Sequence, residues 1–223
     1  MDKKRMNYVV DAYQARYSSV LNKIWPTMGS NGFNEHNQTV NFMIAYETVA
    51  EGNNEQISTW YEFQISNGTK RNNRIDGLII NHTKREVYLI EAKRFSKNNL
   101  PKKQKELGYD YTRIENLGLG RFEELFYEKE SISTYKVFGV LLFDLWTETP
   151  VQEGLLKNWN NICDNPSSDL LSDFFYFNNS DSKIDCAKSC LLPIVREVIC
   201  NRWKDENYSY FLGALIWGKS NKE

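Results

Sequence analysis

The sequence predicts an α/β fold in which helices flank a central mixed sheet of four to five strands. Two early segments space their apolar residues at helical intervals, and the next three segments change to the alternation of β-strands. One more helical segment and an almost wholly apolar strand follow. The order helix, three strands, helix, strand is typical of a sheet covered by helices on both faces. At 223 residues the chain is expected to form a single domain over residues 1–223.

The first two helices are predicted over residues 5–24 and 38–51. In the first, apolar residues recur every three or four positions until Pro26 and Gly29, which favour an end to the helix. The second is apolar on nearly all sides and stops at Gly52, so we expect it to lie in the core.

The strands of the predicted core follow directly. Residues 58–66 precede the turn signal Asn67-Gly68, and residues 74–81 and 86–94 form two further strands rich in β-branched and aromatic residues. A helix is predicted over 102–117 and a strand over 135–146. Because that last strand is almost wholly apolar, we place it in the centre of the sheet.

Residues 147–223 form a C-terminal extension in this interpretation, outside a core of about 38–146. We predict helices near 153–163 and 184–204, the second bent at Pro193, and a late strand over 210–217.

Composition excludes several classes of protein. A mean hydropathy of −0.60 argues against a membrane protein, and the charged first residues argue against a secretory signal, so we expect a cytoplasmic protein. Two histidines exclude a three-histidine zinc site, and the four cysteines form no CxxC pair. The chain contains no GxxxxGK[ST] or GxGxxG motif. Any chemistry therefore depends on carboxylates and lysines.

Acidic residues interrupt two adjacent apolar strands. Asp76 lies in RIDGLII, and Glu91 and Lys93 lie in LIEAKRF, where alternation places Glu91 and Lys93 on one face of the strand. If the two strands pair as a hairpin, Asp76 comes beside Glu91. Two adjacent carboxylates repel each other unless a cation lies between them, and oxygen ligands alone suit Mg²⁺ or Mn²⁺.

Two glutamates are candidates for a third carboxylate at this site. Glu47 follows Val40, Met43 and Ile44 on an apolar stripe of the helix at 38–51, an unusual position for a charge without a partner. Glu62, in the strand at 58–66, is the alternative.

These segments resemble the core of the PD-(D/E)xK nuclease superfamily, which has the restriction-endonuclease-like fold. RIDG followed by LIEAKRF matches its motif, although Ile75 stands in place of the name-giving proline. The resemblance covers about residues 38–146. It implies a helix, three strands, a helix and a strand, with Asp76 and Glu91 as Mg²⁺ ligands and Lys93 helping to activate the attacking water. It also implies a glutamate on the first core helix, where Glu47 stands, so that Asp76, Glu91, Lys93 and Glu47 form the expected catalytic site.

The resemblance implies a Mg²⁺-dependent deoxyribonuclease, most often an endonuclease of restriction, phage defence or repair. Its expected partner is DNA, with a homodimer as one arrangement for cutting both strands. The total charge of −1 hides a segment, residues 68–105, in which eleven Lys and Arg face three acidic residues. The expected DNA contacts from this segment are Lys70, Arg71, Arg74, Arg94, Lys97, Lys102, Lys103 and Gln104.

Two other interpretations remain open at this point. Asp76 and Lys93 form a structural ion pair in an ordinary α/β domain in the first. In the second, the chain keeps the nuclease fold but only binds nucleic acid or a protein partner.

Overall fold

The structure is a computed structural model that describes residues 1–21, 23, 35–64, 74–96, 98–117, 132–176, 191–198 and 208–219. The helices are α1 (Lys3–Leu21), α2 (Glu35–Gly52), α3 (Leu100–Glu115), α4 (Thr149–Asp164) and α5 (Ser168–Phe174), with a 3-10 turn at Ile132–Thr134. The strands are β1 (Ile57–Gln64), β2 (Arg74–Asn81), β3 (Glu86–Phe95), β4 (Lys136–Glu148), β5 (Leu192–Glu197) and β6 (Tyr208–Gly218). Within these ranges no helix is both long and apolar enough to cross a bilayer.

The strands form one mixed sheet in the order β1-β2-β3-β4-β6-β5. Strands β3 and β4 are parallel, and every other neighbouring pair is antiparallel. The α/β class and the mixed sheet are confirmed, but the described sheet has six strands instead of the four to five predicted. Strand β4 lies between β3 and β6, the central position that its apolar sequence predicts.

Helices cover the sheet on both faces and create two cores. Helices α1 and α2 pack against one face through residues such as Tyr13 and Phe42, which meet Ile90 and Val140 of the sheet. The other face carries α3, α4 and α5, with Trp159 fully buried in their core. Strand β4 supplies alternate residues to both cores because successive side chains point to opposite faces.

The predicted helix over 184–204 is wrong where the structure describes it, because Leu192–Glu197 is strand β5. Pro193 was interpreted as a helix bend, but it lies in the last strand of the sheet order. Among the described strands β5 pairs with β6 alone, and an edge strand tolerates a residue without a backbone N–H. The short helix α5 was not predicted. Within the predicted segments, residues 22, 24, 65 and 66, the turn at 67–68, and residues 184–190 and 199–204 lie outside the described residues.

Two glycines offer a matched pair of stability experiments. A Cβ at Gly213 on β6 would lie 2.1 Å from Cζ of Phe143, which is fully buried, whereas a Cβ at Gly154 on α4 meets nothing within 4 Å. We expect Gly213→Ala to lower the free energy of unfolding by about 1–3 kcal/mol through overpacking. Gly154→Ala should raise it by about 0.5–1 kcal/mol, since alanine favours a helix over glycine. Urea denaturation measures both, and a neutral Gly213→Ala would contradict this packing.

Candidate active site

Asp76 and Glu91 come together where the pairing of β2 with β3 ends. The last pair towards this end is Gly77 with Ile90, so the next positions place Asp76 across from Glu91. The Asp76 carboxylate accepts a hydrogen bond from the backbone N–H of Ala92 through Oδ2, at 2.8 Å. Its side chain thus supplies the acceptor for a β3 amide just beyond the paired part of the two strands.

Helix α3 brings the carboxylate of Asp110 and the guanidinium of Arg113 to the face of β3 that carries Glu91 and Lys93. Glu91, 2% exposed, forms an ion pair with the Arg113 guanidinium. The Lys93 ammonium lies 2.9 Å from Oδ2 of Asp110, and Arg113 also reaches Oδ1 of Asp110 at 3.1 Å. We call these residues and Asp76 the charged cluster; it contains three carboxylates and two cations. With every member ionised, its net charge is −1.

The electrostatics of the charged cluster follow from burial. Burial raises the pKa of Glu91 well above its usual range, and the neighbouring charges of Asp76 and Asp110 raise it further, while Arg113 and Lys93 oppose the shift. Burial alone would lower the pKa of Lys93, but Asp110 and Glu91 raise it above its ordinary value. Lys93 therefore stays protonated at neutral pH, which suits it to orient a water or stabilise an anion, not to accept a proton.

The donor set of the cluster fits a hard cation only in part. Carboxylate oxygens are the ligands that Mg²⁺ prefers, and Asp76 is half-buried with one oxygen directed at a backbone amide. Glu91 and Asp110, however, are already paired with Arg113 and Lys93. No group of three His, Cys, Asp or Glu side chains in the described ranges has an arrangement that would hold a metal ion. Asp76 and Glu91 would supply the ligands, and Glu91 would have to exchange its guanidinium partner.

Glu47 does not reach the charged cluster in the described contacts. Its carboxylate accepts a hydrogen bond from Thr59 of β1 at 2.7 Å. Helix α2 packs on the sheet face opposite to α3, since its residues share a core with Ile90 while α3 shares the other core with Leu89. The structure thus separates Glu47 from Glu91 by the thickness of the sheet.

Glu62 lies nearer to Asp76 along the sheet. The neighbouring pairs Tyr61 with Gly77 and Phe63 with Ile75 place it across from Asp76, but Glu62 has a φ of 50° and is skipped in the pairing. Its exposed carboxylate meets Arg74 at 3.4 Å and His36 at 3.5 Å. Glu62 therefore lies beside Asp76 in the register of β1 and β2, but its described ion-pair partners lie outside the charged cluster.

Some of the predicted DNA contacts are largely exposed, and others are held by close partners within the fold. Lys102 and Arg74 are largely exposed, and their ion-pair distances to Glu106 and Glu62 are 3.9 and 3.4 Å. Lys103 is engaged, because its ammonium lies 2.6 Å from Glu35. The backbone N–H of Arg94 also donates to Glu35. Lys70, Arg71 and Lys97 lie outside the described residues.

Gln104 has a structural partner within the fold. It is 5% exposed, and its amide Nε2 donates to the carbonyl oxygen of Phe174 at 2.9 Å, which ties α3 to the end of α5. The prediction of a substrate contact at Gln104 stays a prediction.

Sequence reasoning missed Asp110. The signal was present, because Leu107, Asp110, Tyr111 and Ile114 share the buried face of α3 and Arg113 follows Asp110 by three positions. A carboxylate on such a face requires a cationic partner, and Lys93 was the candidate. Arg113 was not assigned to the site either; in the structure it neutralises Glu91.

Removal of Arg113 provides a stability prediction for the charged cluster. We expect Arg113→Met to lower the free energy of unfolding by about 1–3 kcal/mol, because Glu91 loses its guanidinium partner while it stays buried. The loss is smaller than for a fully enclosed pair, since the Arg113 side chain is 30% exposed. Chemical denaturation at pH 7 measures it.

A double-substitution cycle separates this pair from general damage to α3. Glu91→Gln in the Arg113→Met background should recover part of the loss, since no buried charge is left behind. Lys102→Met is the control, with an expected change under about 0.5 kcal/mol for a surface cation. Strict additivity of the Arg113 and Glu91 substitutions would contradict the pairing.

Comparison with known proteins supplies no family for this chain. No protein-family model matches the sequence, and neither the curated proteins nor the solved structures include a significant match.

Proposed function

We propose that this protein is a metal-dependent nuclease that hydrolyses DNA phosphodiester bonds. The observation that carries the proposal is the convergence of Asp76, Glu91 and Lys93 at the end of the β2–β3 pairing, in a sheet whose buried positions are mostly apolar. Buried charges are costly for stability alone, so a cluster of three carboxylates and two cations requires a reason. Perturbed titration at such a cluster is typical of functional sites.

The charge of the cluster favours a divalent cation and then a phosphodiester. With all five groups ionised the cluster sums to −1, and a divalent cation on Asp76 and Glu91, which also favours the ionised form of Glu91, would change the sum to +1, opposite in sign to a phosphodiester. Bound Mg²⁺ or Mn²⁺ supplies Lewis-acid activation of a water and neutralises charge on the phosphate. Asp76 and Glu91 would hold it by their oxygens, and both come from the sheet, which limits their movement.

Lys93 and Arg113 act through their positive charges. Lys93 stays protonated beside Asp110, so its ammonium orients the attacking water and stabilises negative charge that develops on the phosphate. Arg113 balances Glu91 in the structure described here and becomes available to the phosphate when Glu91 takes a different partner. Asp110 keeps both cations in place.

Basic residues around the charged cluster support DNA as the substrate. Arg74 and Lys102 are exposed and lie on elements that flank it, so they suit salt-sensitive contacts with phosphates. A setting in restriction, phage defence or repair fits such an activity.

The proposed activity is tested by incubation of the purified protein with supercoiled plasmid, linear duplex DNA and RNA, each with Mg²⁺, Mn²⁺ or EDTA. We expect cleavage of DNA with either metal and none in EDTA, because the carboxylates alone supply no Lewis acid. Conversion of the supercoiled plasmid to nicked or linear forms indicates internal cleavage. Equal cleavage in EDTA would contradict a metal-dependent site, and cleavage of RNA alone would reassign the substrate.

A second function is favoured by the ion pairs of the cluster. Because Glu91 and Asp110 are satisfied by Arg113 and Lys93, the same residues also suit a protein that binds nucleic acid without cleaving it. Calorimetric titration with Mn²⁺ distinguishes the two functions. A catalytic site should bind the metal and lose it in Asp76→Asn, whereas a binding module should bind DNA equally well in the presence of metal or EDTA.

A further inference from the structure

A cavity of about 240 Å³ lies among α3, α4 and α5, on the face of the sheet that carries the charged cluster. Its polar lining includes Asn158, Asn161 and Asp173, and its aromatic lining consists of Phe174 and Tyr176. The volume is below the roughly 300–1,000 Å³ of most pockets for drug-sized ligands, so a group the size of one heterocyclic base suits it better.

Two carboxamides offer unused hydrogen bonds to this cavity. Asn158 and Asn161 are one helical turn apart on α4, so they project towards the same side. Both asparagines are exposed, as is the carboxylate of Asp173, and none of the three side chains has a hydrogen-bond partner among the described residues. Each carboxamide carries both a donor and an acceptor, and the carboxylate accepts only. The lining is therefore able to read both donors and acceptors of a ligand.

Aromatic rings supply a complementary apolar surface. Phe174 is 5% exposed, while Tyr176 is 46% exposed at the rim and has a φ of 54°. This left-handed conformation ends helix α5, where the backbone N–H of Tyr176 donates to the carbonyl oxygen of Asp173, and it sets the ring of Tyr176 at the rim of the cavity. Exposed aromatic rings stack on the flat faces of bases.

We propose that this cavity binds a single nucleobase, with guanine preferred. Guanine presents its N1–H and its amino group side by side, two donors that match the two oxygens of Asp173. Its O6 and N7 are acceptors for the carboxamide N–H groups of Asn158 and Asn161. The charge of Asp173 repels phosphate, so the sugar-phosphate part of the ligand remains outside. This site is separate from the proposed hydrolysis and does not rest on it.

The test is calorimetric titration of the full chain with guanosine, adenosine, cytidine and thymidine, all in EDTA. We expect guanosine to bind most tightly, and the Asn158→Ala/Asn161→Ala double variant to weaken it at least about tenfold, the loss expected for a bidentate base contact. Asn160→Ala, on the same helix but outside the lining, is the matched control and should leave binding unchanged. Asp173→Asn should reduce the preference for guanosine over adenosine.

Several outcomes would overturn the assignment. If none of the four nucleosides binds saturably, the cavity is not a nucleobase site. If the double variant binds guanosine as tightly as the native protein, the two carboxamides do not contact the base. If another nucleoside binds more tightly than guanosine, the assignment of guanine is wrong. Because the titrations contain EDTA and no metal, absence of nucleoside binding would not contradict the proposed hydrolysis. Likewise, Glu91→Gln should lose cleavage but keep nucleoside binding. An oligonucleotide with one guanine, compared with the same strand carrying an abasic position, shows whether the base comes from a strand or from a free nucleoside.

Discussion

Glu91→Gln is expected to reduce metal-dependent DNA cleavage by about 10³-fold or more, which corresponds to about 4 kcal/mol in the activation free energy. The substitution keeps the size of a side chain that is 2% exposed but removes the charge on which the proposed metal depends. Lys93→Met is expected to lower cleavage by about 10²–10³-fold, the range for loss of a group that stabilises negative charge in the transition state. Initial rates on supercoiled plasmid at saturating Mg²⁺ measure both.

The matched control is a carboxylate on α3, the helix that packs against β3. Glu106→Gln, in α3, changes a carboxylate that contacts only Lys102 and Lys103 among the described ion pairs, so cleavage should stay close to that of the native protein. Calorimetry should show Mn²⁺ binding lost in Glu91→Gln but kept in Lys93→Met, because Lys93 supplies no metal ligand. Equal cleavage by native, Glu91→Gln and Lys93→Met proteins would exclude this active site and favour the binding function.

The local pattern predicts how β2 and β3 bring Asp76 and Glu91 together. Alternation identifies both strands, and a short turn between them leaves one antiparallel pairing in which the two acidic positions meet. This part of the site depends on contacts near in sequence, so a single chain contains enough information to place it.

The pattern cannot decide which side of the sheet a helix covers. The apolar face of α2 shows that the helix packs on the sheet, but β3 is buried on both faces, and each face offers an apolar surface. The sequence alone therefore allows Glu47 to lie on either side of the sheet, although in the structure α2 covers the face opposite to Glu91. Asp110 was missed for the same reason, because its partner Lys93 belongs to another element and only the packing of α3 joins them.

The residues of β5 do not by themselves predict a strand, because pairing with another strand decides their conformation. Its six residues include Pro193, and their apolar spacing fits a helix as well as a strand. The pairing with β6 decides between them, and the paired residues are 14 to 24 positions apart, from Glu197 with Phe211 to Leu192 with Ile216. Long-range pairing of this kind leaves no signal in the local spacing.

Asp144→Asn is expected to make the protein more stable at pH 8 and to remove a pH dependence between about pH 4 and pH 8. Asp144 is fully buried on β4, where Tyr210 donates its hydroxyl to Oδ2 and Gln38 donates Nε2 to Oδ1 at 2.9 Å. Burial raises the pKa of Asp144 to about 7, although Arg94 and the Tyr210 hydrogen bond oppose the rise.

The sign follows from proton binding. Between the ordinary carboxyl pKa and about 7, the folded protein holds a proton on Asp144 that the unfolded chain has released. Stability from this residue is therefore complete below about pH 4 and is lost as the pH rises through 7. The loss approaches about 4 kcal/mol at pH 8, at 1.36 kcal/mol for each pH unit between the two pKa values.

The comparison that tests this is the difference in unfolding free energy between native protein and Asp144→Asn, measured by urea denaturation at pH 5, 6, 7 and 8. That difference should move in favour of Asp144→Asn as the pH rises, because the amide keeps the volume and never ionises. Asp173→Asn, at an exposed carboxylate, is the control and should give a difference that varies little with pH. Gln38 also donates to the carbonyl oxygen of Lys93 at 3.0 Å, so the Asp144 site and the charged cluster share one contact. A difference independent of pH would show that Asp144 is ionised throughout this range, and the burial argument for it would then be wrong.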